Sequence, residues 1–148
     1  MNAGEVIKRW EQFPDGGSAQ KYFISLNETT EKQPSIFVIT TSRRNDWRVG
    51  ESGCFHQHKG SYFIIRPNKL DFFPQLTFVQ LHRAWAYTQM EILQEGLCKR
   101  NFESVGQISE QTLNAIINCF LKSDDIEGWQ KAIVIAAQKS KRGSRITP

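Results

Sequence analysis

Residues 35–42 read SIFVITTS, a run of β-branched and aromatic residues between a polar segment and an arginine cluster. Ile36, Phe37, Val38 and Ile39 put apolar side chains on both faces, which predicts a central strand buried on two sides. Working back, KYFISLN (21–27) predicts a second strand, joined to the first by the polar turn ETTEKQP (28–34). PDGGSAQ (14–20) breaks regular structure with a proline and two glycines and predicts a flexible loop. EVIKRWEQF (5–13) spaces Val6, Ile7, Trp10 and Phe13 as a short amphipathic helix or lead-in segment does. Working forward, CFHQH (54–58) and SYFIIRP (61–67) predict a hairpin turning at Lys59–Gly60. NKLDFFPQL (68–76) reads as an irregular aromatic loop, and TFVQLHRAW (77–85) as a further strand.

The pattern then turns helical. TQMEILQEG (88–96) predicts one or two turns, with Thr88 as N-cap and Gly96 as stop. SEQTLNAIINCFLKS (109–123) predicts a longer helix capped by Ser109. Its Leu113, Ile116, Ile117, Phe120 and Leu121 form one apolar face. DDIEGWQKAIVIAAQ (124–138) predicts another, with a stripe of Ile126, Trp129 and Ile133, and KSKRGSRITP (139–148) reads as a basic, disordered tail. Strands first and helices last make an α+β chain. It is read as one domain over 1–148, with a small curled antiparallel sheet or barrel at 14–87 and a helical part at 88–138 against one side.

A chain of 148 residues, 39% apolar and 23% charged, suits a single globular domain. The net charge of +4 permits a nucleic-acid or acidic partner, and the basic residues are uneven, gathered in SRRNDWR (42–48) and KSKRGSR (139–145). Three widely spaced cysteines, Cys54, Cys98 and Cys119, with no CxxC pair, argue against a disulfide framework and against a zinc ribbon. The polar N-terminus and the short apolar runs point away from a signal peptide or membrane span, so a reducing cytoplasm is the expected location.

No G-x-G-x-x-G, Walker loop, H-E-x-x-H or G-x-S-x-G occurs. Chemistry therefore rests on local clusters. Cys54, His56 and His58 stand two apart, so in a strand they line one face. Same-face neighbours on one strand lie about 7 Å apart, too far for three consecutive side chains to share a metal with bonds of about 2.0–2.3 Å. With no further ligand spacing in the chain, no metal and no cofactor are expected, and a metal enzyme built on this cluster ranks third among the readings. His56, in preference to His58, is kept as an acid–base group facing a groove. TTSRR, at the end of the central strand, brings the hydroxyls of Thr41 and Ser42 beside Arg43 and Arg44. Hydroxyls that position a phosphate and guanidinium groups that neutralise developing charge suit a phosphodiester. Trp47 offers a base-stacking surface, Arg48 adds charge, and GGSAQK, ending in Lys21, is a loop able to fold over a ligand.

GGSAQKYFISLN, PSIFVITTS, CFHQHKGSYFII, FFPQLTFVQL and VGQISEQTLNAIINCFLKSDDI, taken in order, resemble the MazF/PemK-like toxins over roughly residues 14–126. That resemblance implies an SH3-like β-barrel with C-terminal helices, usually a homodimer. It also implies a metal-independent endoribonuclease on single-stranded RNA, acting through attack of the 2′-hydroxyl on the adjacent phosphate, and a cognate antitoxin that inhibits it. The family's catalytic Ser/Thr matches Thr41 or Ser42, and its arginine after the Gly-Ser loop matches Lys21. Lysine keeps the charge but lacks the planar fork of arginine. Arg43 in the catalytic set, or Arg83 on the later strand, is the expected substitute. Arg44, Trp47, Arg48, Arg83 and His56 complete the expected RNA-binding set. A non-catalytic nucleic-acid- or protein-binding module on the same barrel is the alternative.

Overall fold

A computed structural model describes residues 1–12, 14–42, 53–57, 60–66, 73, 75–98 and 101–146. Seven strands run in the order β1 (Glu5–Gln12), β2 (Ser18–Ser25), β3 (Ser35–Thr41), β4 (Gly53–Gln57), β5 (Gly60–Ile65), β6 (Thr77–Tyr87) and β7 (Glu103–Gln107). Helix α1 (Gln89–Leu93) and a π-helical turn (Gln94–Cys98) separate β6 from β7. Helices α2 (Glu110–Lys122) and α3 (Gly128–Ile146) follow. The strands form one antiparallel sheet in the order β4-β5-β6-β3-β2-β1-β7, so the molecule is α+β. Among the described residues β4 and β7 are its edges and the sheet does not close.

The central strand is where the sequence put it. In β3 every residue from Ser35 to Thr40 is buried. Val38 and Ile36 join Val6, Ile24, Leu26, Val79 and Leu81 under α2 and α3, against Leu113, Ile116, Ile117, Phe120 and Val134. Phe37 and Ile39 face the other way, with Ile7 and Phe23, and are covered by Trp85, Tyr87, Ile92 and Phe102. A third cluster, Tyr62, Ile64 and Phe78, packs with Phe55 and Leu76. Opposite β3, strand β6 breaks register. Ile39 pairs with Gln80 but Val38 pairs with Ala84, so Leu81–Arg83 interrupt the ladder. Such bulges bend and twist a strand.

Residues 5–13 were expected to be a short helix or a lead-in segment. They are strand through Gln12, because β1 is paired on both sides, by β2 and by β7. Adjacent Val6 and Ile7 are 0% and 1% exposed, one in each layer, while Trp10 is 53% exposed and belongs to neither. Strand β7, ESVGQ, is a polar edge with no apolar alternation to announce it. Helix α1 is capped by Thr88 through a reciprocal capping box with Glu91, as expected. Gly96 is no stop, since it lies within the π-helical turn. Ser109 caps α2, accepting from the Thr112 N–H at 3.1 Å. In α3 the stripe shifts: Gln130 and Val134 are buried and Trp129 is exposed. The helix continues through Ile146, into the segment read as a disordered tail. The β4–β5 ladder starts at Gln57↔Gly60, so Gly60, expected in the turn, is the first residue of β5, while Lys59 lies outside the described residues.

Candidate functional site

The predicted site residues divide between two faces of the sheet. Arg43, Arg44, Trp47 and Arg48 lie outside the described residues, as does His58. On the face opposite α2, the β2–β3 ladder runs Phe23↔Ile39, Ile24↔Val38, Ser25↔Phe37. Carried two residues further, that register sets Lys21 across from Thr41, and Lys21 is itself paired with Arg9 on β1. Thr41 shares its face with Phe37 and Ile39, and Lys21 with Phe23, because alternate residues of a strand point the same way. Ser42 follows directly and is exposed. Arg83 joins them through aromatics: its guanidinium lies 5.8 Å over the Trp85 ring, and Trp85 packs edge-on to Phe23 at 5.8 Å. Lys21, Thr41 and Arg83 are thus brought to one basic, aromatic face.

Arg9 was not foreseen, because reading 5–13 as a short helix or lead-in segment hid its place beside β2. Its guanidinium stacks 5.6 Å from Tyr87 and 5.5 Å from Phe102, donates to the Tyr87 hydroxyl, and lies 3.9 Å from the Glu95 carboxylate. This arginine is tied into the protein's own packing.

His56 belongs to the opposite face. It pairs with Ser61 across the β4–β5 ladder, and Cys54 on the same strand is disulfide-bonded to Cys119 of α2. The disulfide corrects the expectation from cysteine spacing. The two residues stand 65 apart in sequence and meet because the buried face of α2 lies on β4 and β5. His56 Nε2 is 3.2 Å from Cys54 Sγ, and its Nδ1 is 2.9 Å from Ser61 Oγ. Ser61 Oγ lies 3.3 Å from Asp125 Oδ1 and 2.6 Å from Ser123 Oγ, and Ser123 also donates to Asp125. A carboxylate only accepts, so Asp125 accepts hydrogen bonds from the serine hydroxyls, and the direction of the Ser61–His56 Nδ1 bond follows the histidine tautomer. In either tautomer Nε2 is the ring nitrogen that faces the sulfurs. His82 closes the group, with Nδ1 3.4 Å from the Ser61 carbonyl and its ring edge-on to Tyr62.

Burial pushes the Asp125 carboxyl up, but hydrogen bonds from Ser123, its own backbone N–H and Ser61, with the nearby His82, outweigh it and hold it below the ordinary carboxylate range. Burial, then the Asp125 charge, raises the Tyr62 phenol. Because Asp125 titrates lower folded than unfolded, its stabilisation is full above about pH 4 and is lost as pH falls through the depressed value. Asp125→Asn is therefore expected to flatten the acid limb of a pH–stability profile below about pH 4. An unchanged acid limb in urea titrations at stepped pH rejects this assignment.

Ser61, Ser123 and Asp125 carry no motif that marks them. A separate cleft of about 370 Å³, lined among others by Asn27, Gln33, Asn114, Ile117 and Gln138, lies between α2, α3 and the β2–β3 connection. Among the described residues no helix is long and apolar enough to cross a membrane. Comparison with family models, curated proteins and solved structures finds no match to this chain.

Proposed function

We propose that the chain is a toxin-type endoribonuclease that cuts single-stranded RNA without a metal, using the face on which Lys21 and Thr41 meet. What supports this reading is the β2–β3 ladder, which carried two residues past its last pair sets Thr41 across from Lys21, with Arg83 and Trp85 on the same face. RNA cleavage by its own 2′-hydroxyl forms a bond from that oxygen to phosphorus, expels the 5′-oxygen of the next nucleotide and leaves a cyclic phosphate. Little covalent work falls to the protein. It must position the phosphate and stabilise the charge on its oxygens. Thr41 and Ser42 supply hydroxyl donors to a phosphate oxygen, Lys21 the compensating charge, and Arg83 with Trp85 a cationic and stacking surface for the flanking strand. The same reading takes the bent sheet as an opened variant of the SH3-like barrel. It includes a homodimer, a protein antitoxin covering the basic face, and a cytoplasmic location.

The second reading, a binding module without cleavage, is favoured by one observation: the arginine paired with Lys21 across the β1–β2 ladder, Arg9, is committed to Tyr87, Phe102 and Glu95.

Incubation of the purified protein with single-stranded RNA in a chelator is expected to yield fragments with 5′-hydroxyl ends. Lys21→Ala, and Thr41→Ala combined with Ser42→Ala, are each expected to slow cleavage by about 10²-fold or more. Full activity in both variants rejects the site, cleavage abolished by the chelator rejects the mechanism, and RNA bound intact selects the binding module.

A further inference from the structure

The second face of the sheet goes beyond the ribonuclease reading and shares no residue with it. There the chain brings together Cys54, His56 and Cys119, whose sulfur and ring-nitrogen atoms all lie within 4.8 Å of one another. The objection that one strand cannot supply three ligands is removed by α2, which delivers the third from across the fold. Zinc with bonds of about 2.3 Å to sulfur and about 2.0–2.1 Å to imidazole nitrogen places tetrahedral ligand atoms roughly 3.4–3.8 Å apart. The spread of these three atoms suits that geometry, with Nε2 already 3.2 Å from Cys54 Sγ.

We propose that Cys54, Cys119 and His56 form a redox-gated zinc site: reduced, the two thiolates and Nε2 of His56 hold one Zn²⁺, and oxidation to the disulfide releases it.

Two thiolates and an imidazole select zinc over the hard cations. A second, independent observation supports the site. A zinc-binding histidine characteristically donates its other ring N–H to an oxygen partner that fixes its orientation. Here Nδ1 lies 2.9 Å from Ser61 Oγ, placed to donate to it when Nε2 binds a metal, Ser61 Oγ lies 3.3 Å from Asp125, and Nε2 is the nitrogen that faces the sulfurs. Cys119 is 1% exposed, whereas Cys54 and His56 are exposed. The site therefore opens to solvent on the strand side, where water takes the fourth position.

The reaction balances simply. Reduction breaks the S–S bond with two electrons and two protons from a dithiol, which becomes a disulfide. Binding of Zn²⁺ then displaces both thiol protons. In reverse, a disulfide oxidant accepts the two electrons and takes two protons from solvent to become a dithiol, the Cys54–Cys119 bond re-forms, and Zn²⁺ leaves with His56 uncoordinated.

The test uses the full chain, reduced with a phosphine and kept under argon, with Zn²⁺ titrated against a metallochromic dye. The expected result is one equivalent bound per reduced chain and none by the oxidised chain. Co²⁺ in place of zinc is expected to give thiolate charge-transfer absorption and intense tetrahedral d–d bands. Cys54→Ser, on an exposed strand position, is expected to abolish stoichiometric binding. His56→Ala and Ser61→Ala are each expected to weaken it by about 10–100-fold, the latter acting only through the orientation of His56. Cys98→Ser is expected to leave it intact. Sub-stoichiometric binding by the reduced chain, equal binding by the oxidised chain, or undiminished binding by Cys54→Ser overturns the proposal. RNA cleavage by Cys54→Ser is read separately, so failure of either assignment leaves the other standing.

Discussion

Replacing Phe120 by alanine is expected to cost about 3–5 kcal/mol, enough to consume much of a typical domain's stability of about 5–15 kcal/mol. The side chain is 0% exposed and sits on the core face of α2 with Ile116, Ile117 and Leu113, against Val38, Val79 and Leu81 of the sheet. Truncation loses the transfer energy of the ring and leaves a void that backbone paired on both sides is poorly able to collapse into. Phe120→Leu keeps most of the volume and is expected to cost less than half as much. Urea unfolding followed by tryptophan fluorescence gives both values. A Phe120→Ala midpoint within error of the parent shows that α2 does not anchor the core as described.

Breaking the covalent link between β4 and α2 is the second large effect. Cys54 and Cys119 are 65 residues apart, and the loop-closure entropy of a link of that length corresponds to roughly 4 kcal/mol of stabilisation. Cys54→Ser, assayed without zinc, is expected to lower stability by about 2–4 kcal/mol. Reduction of the parent chain in the presence of chelator is expected to do the same. Equal denaturant midpoints for oxidised and reduced protein, once thiol titration has shown full reduction, reject the link as a stabilising element. The two experiments act at neighbouring positions of one helix. Phe120→Ala and loss of the disulfide are therefore expected to be non-additive, since a loosened α2 gains less from being tethered.

How much was legible in the sequence differs sharply between elements. SIFVITTS announced a two-sided strand because its chemistry is local: four successive apolar residues admit few other placements. The caps of α1 and α2 were legible for the same reason, a hydroxyl residue standing just before a helical pattern. EVIKRWEQF misled because Val6 and Ile7, each buried in a different layer, imitate a helical apolar pair when the layers are not known. ESVGQ gave no signal, since an edge strand is held by backbone hydrogen bonds that side-chain pattern does not encode. Of the basic, aromatic face, Thr41, Lys21 and Arg83 were named in advance, whereas Arg9 emerged only from strand pairing. The cysteine–histidine cluster was half legible. Spacing on β4 exposed Cys54 and His56, but Cys119, Ser61, Ser123 and Asp125 arrive from a neighbouring strand and from α2 and the turn after it. Such long-range convergence leaves no trace in linear spacing.

The place of β1 also has a consequence for how the chain becomes protein. It lies between β2, made immediately after it, and β7, with Glu5 paired to Gln107. Gly4 bridges both sides, its N–H bonded to Ser25 and its carbonyl accepting from Ile108. During synthesis the N-terminal strand meets one partner at once and then waits, with its other edge bare, until most of the chain has left the ribosome. Contacts of such high sequence separation slow folding and prolong that exposure. A nascent chain arrested before residue 103 is thus a species with an open sticky edge, whose fate depends on what captures that edge first.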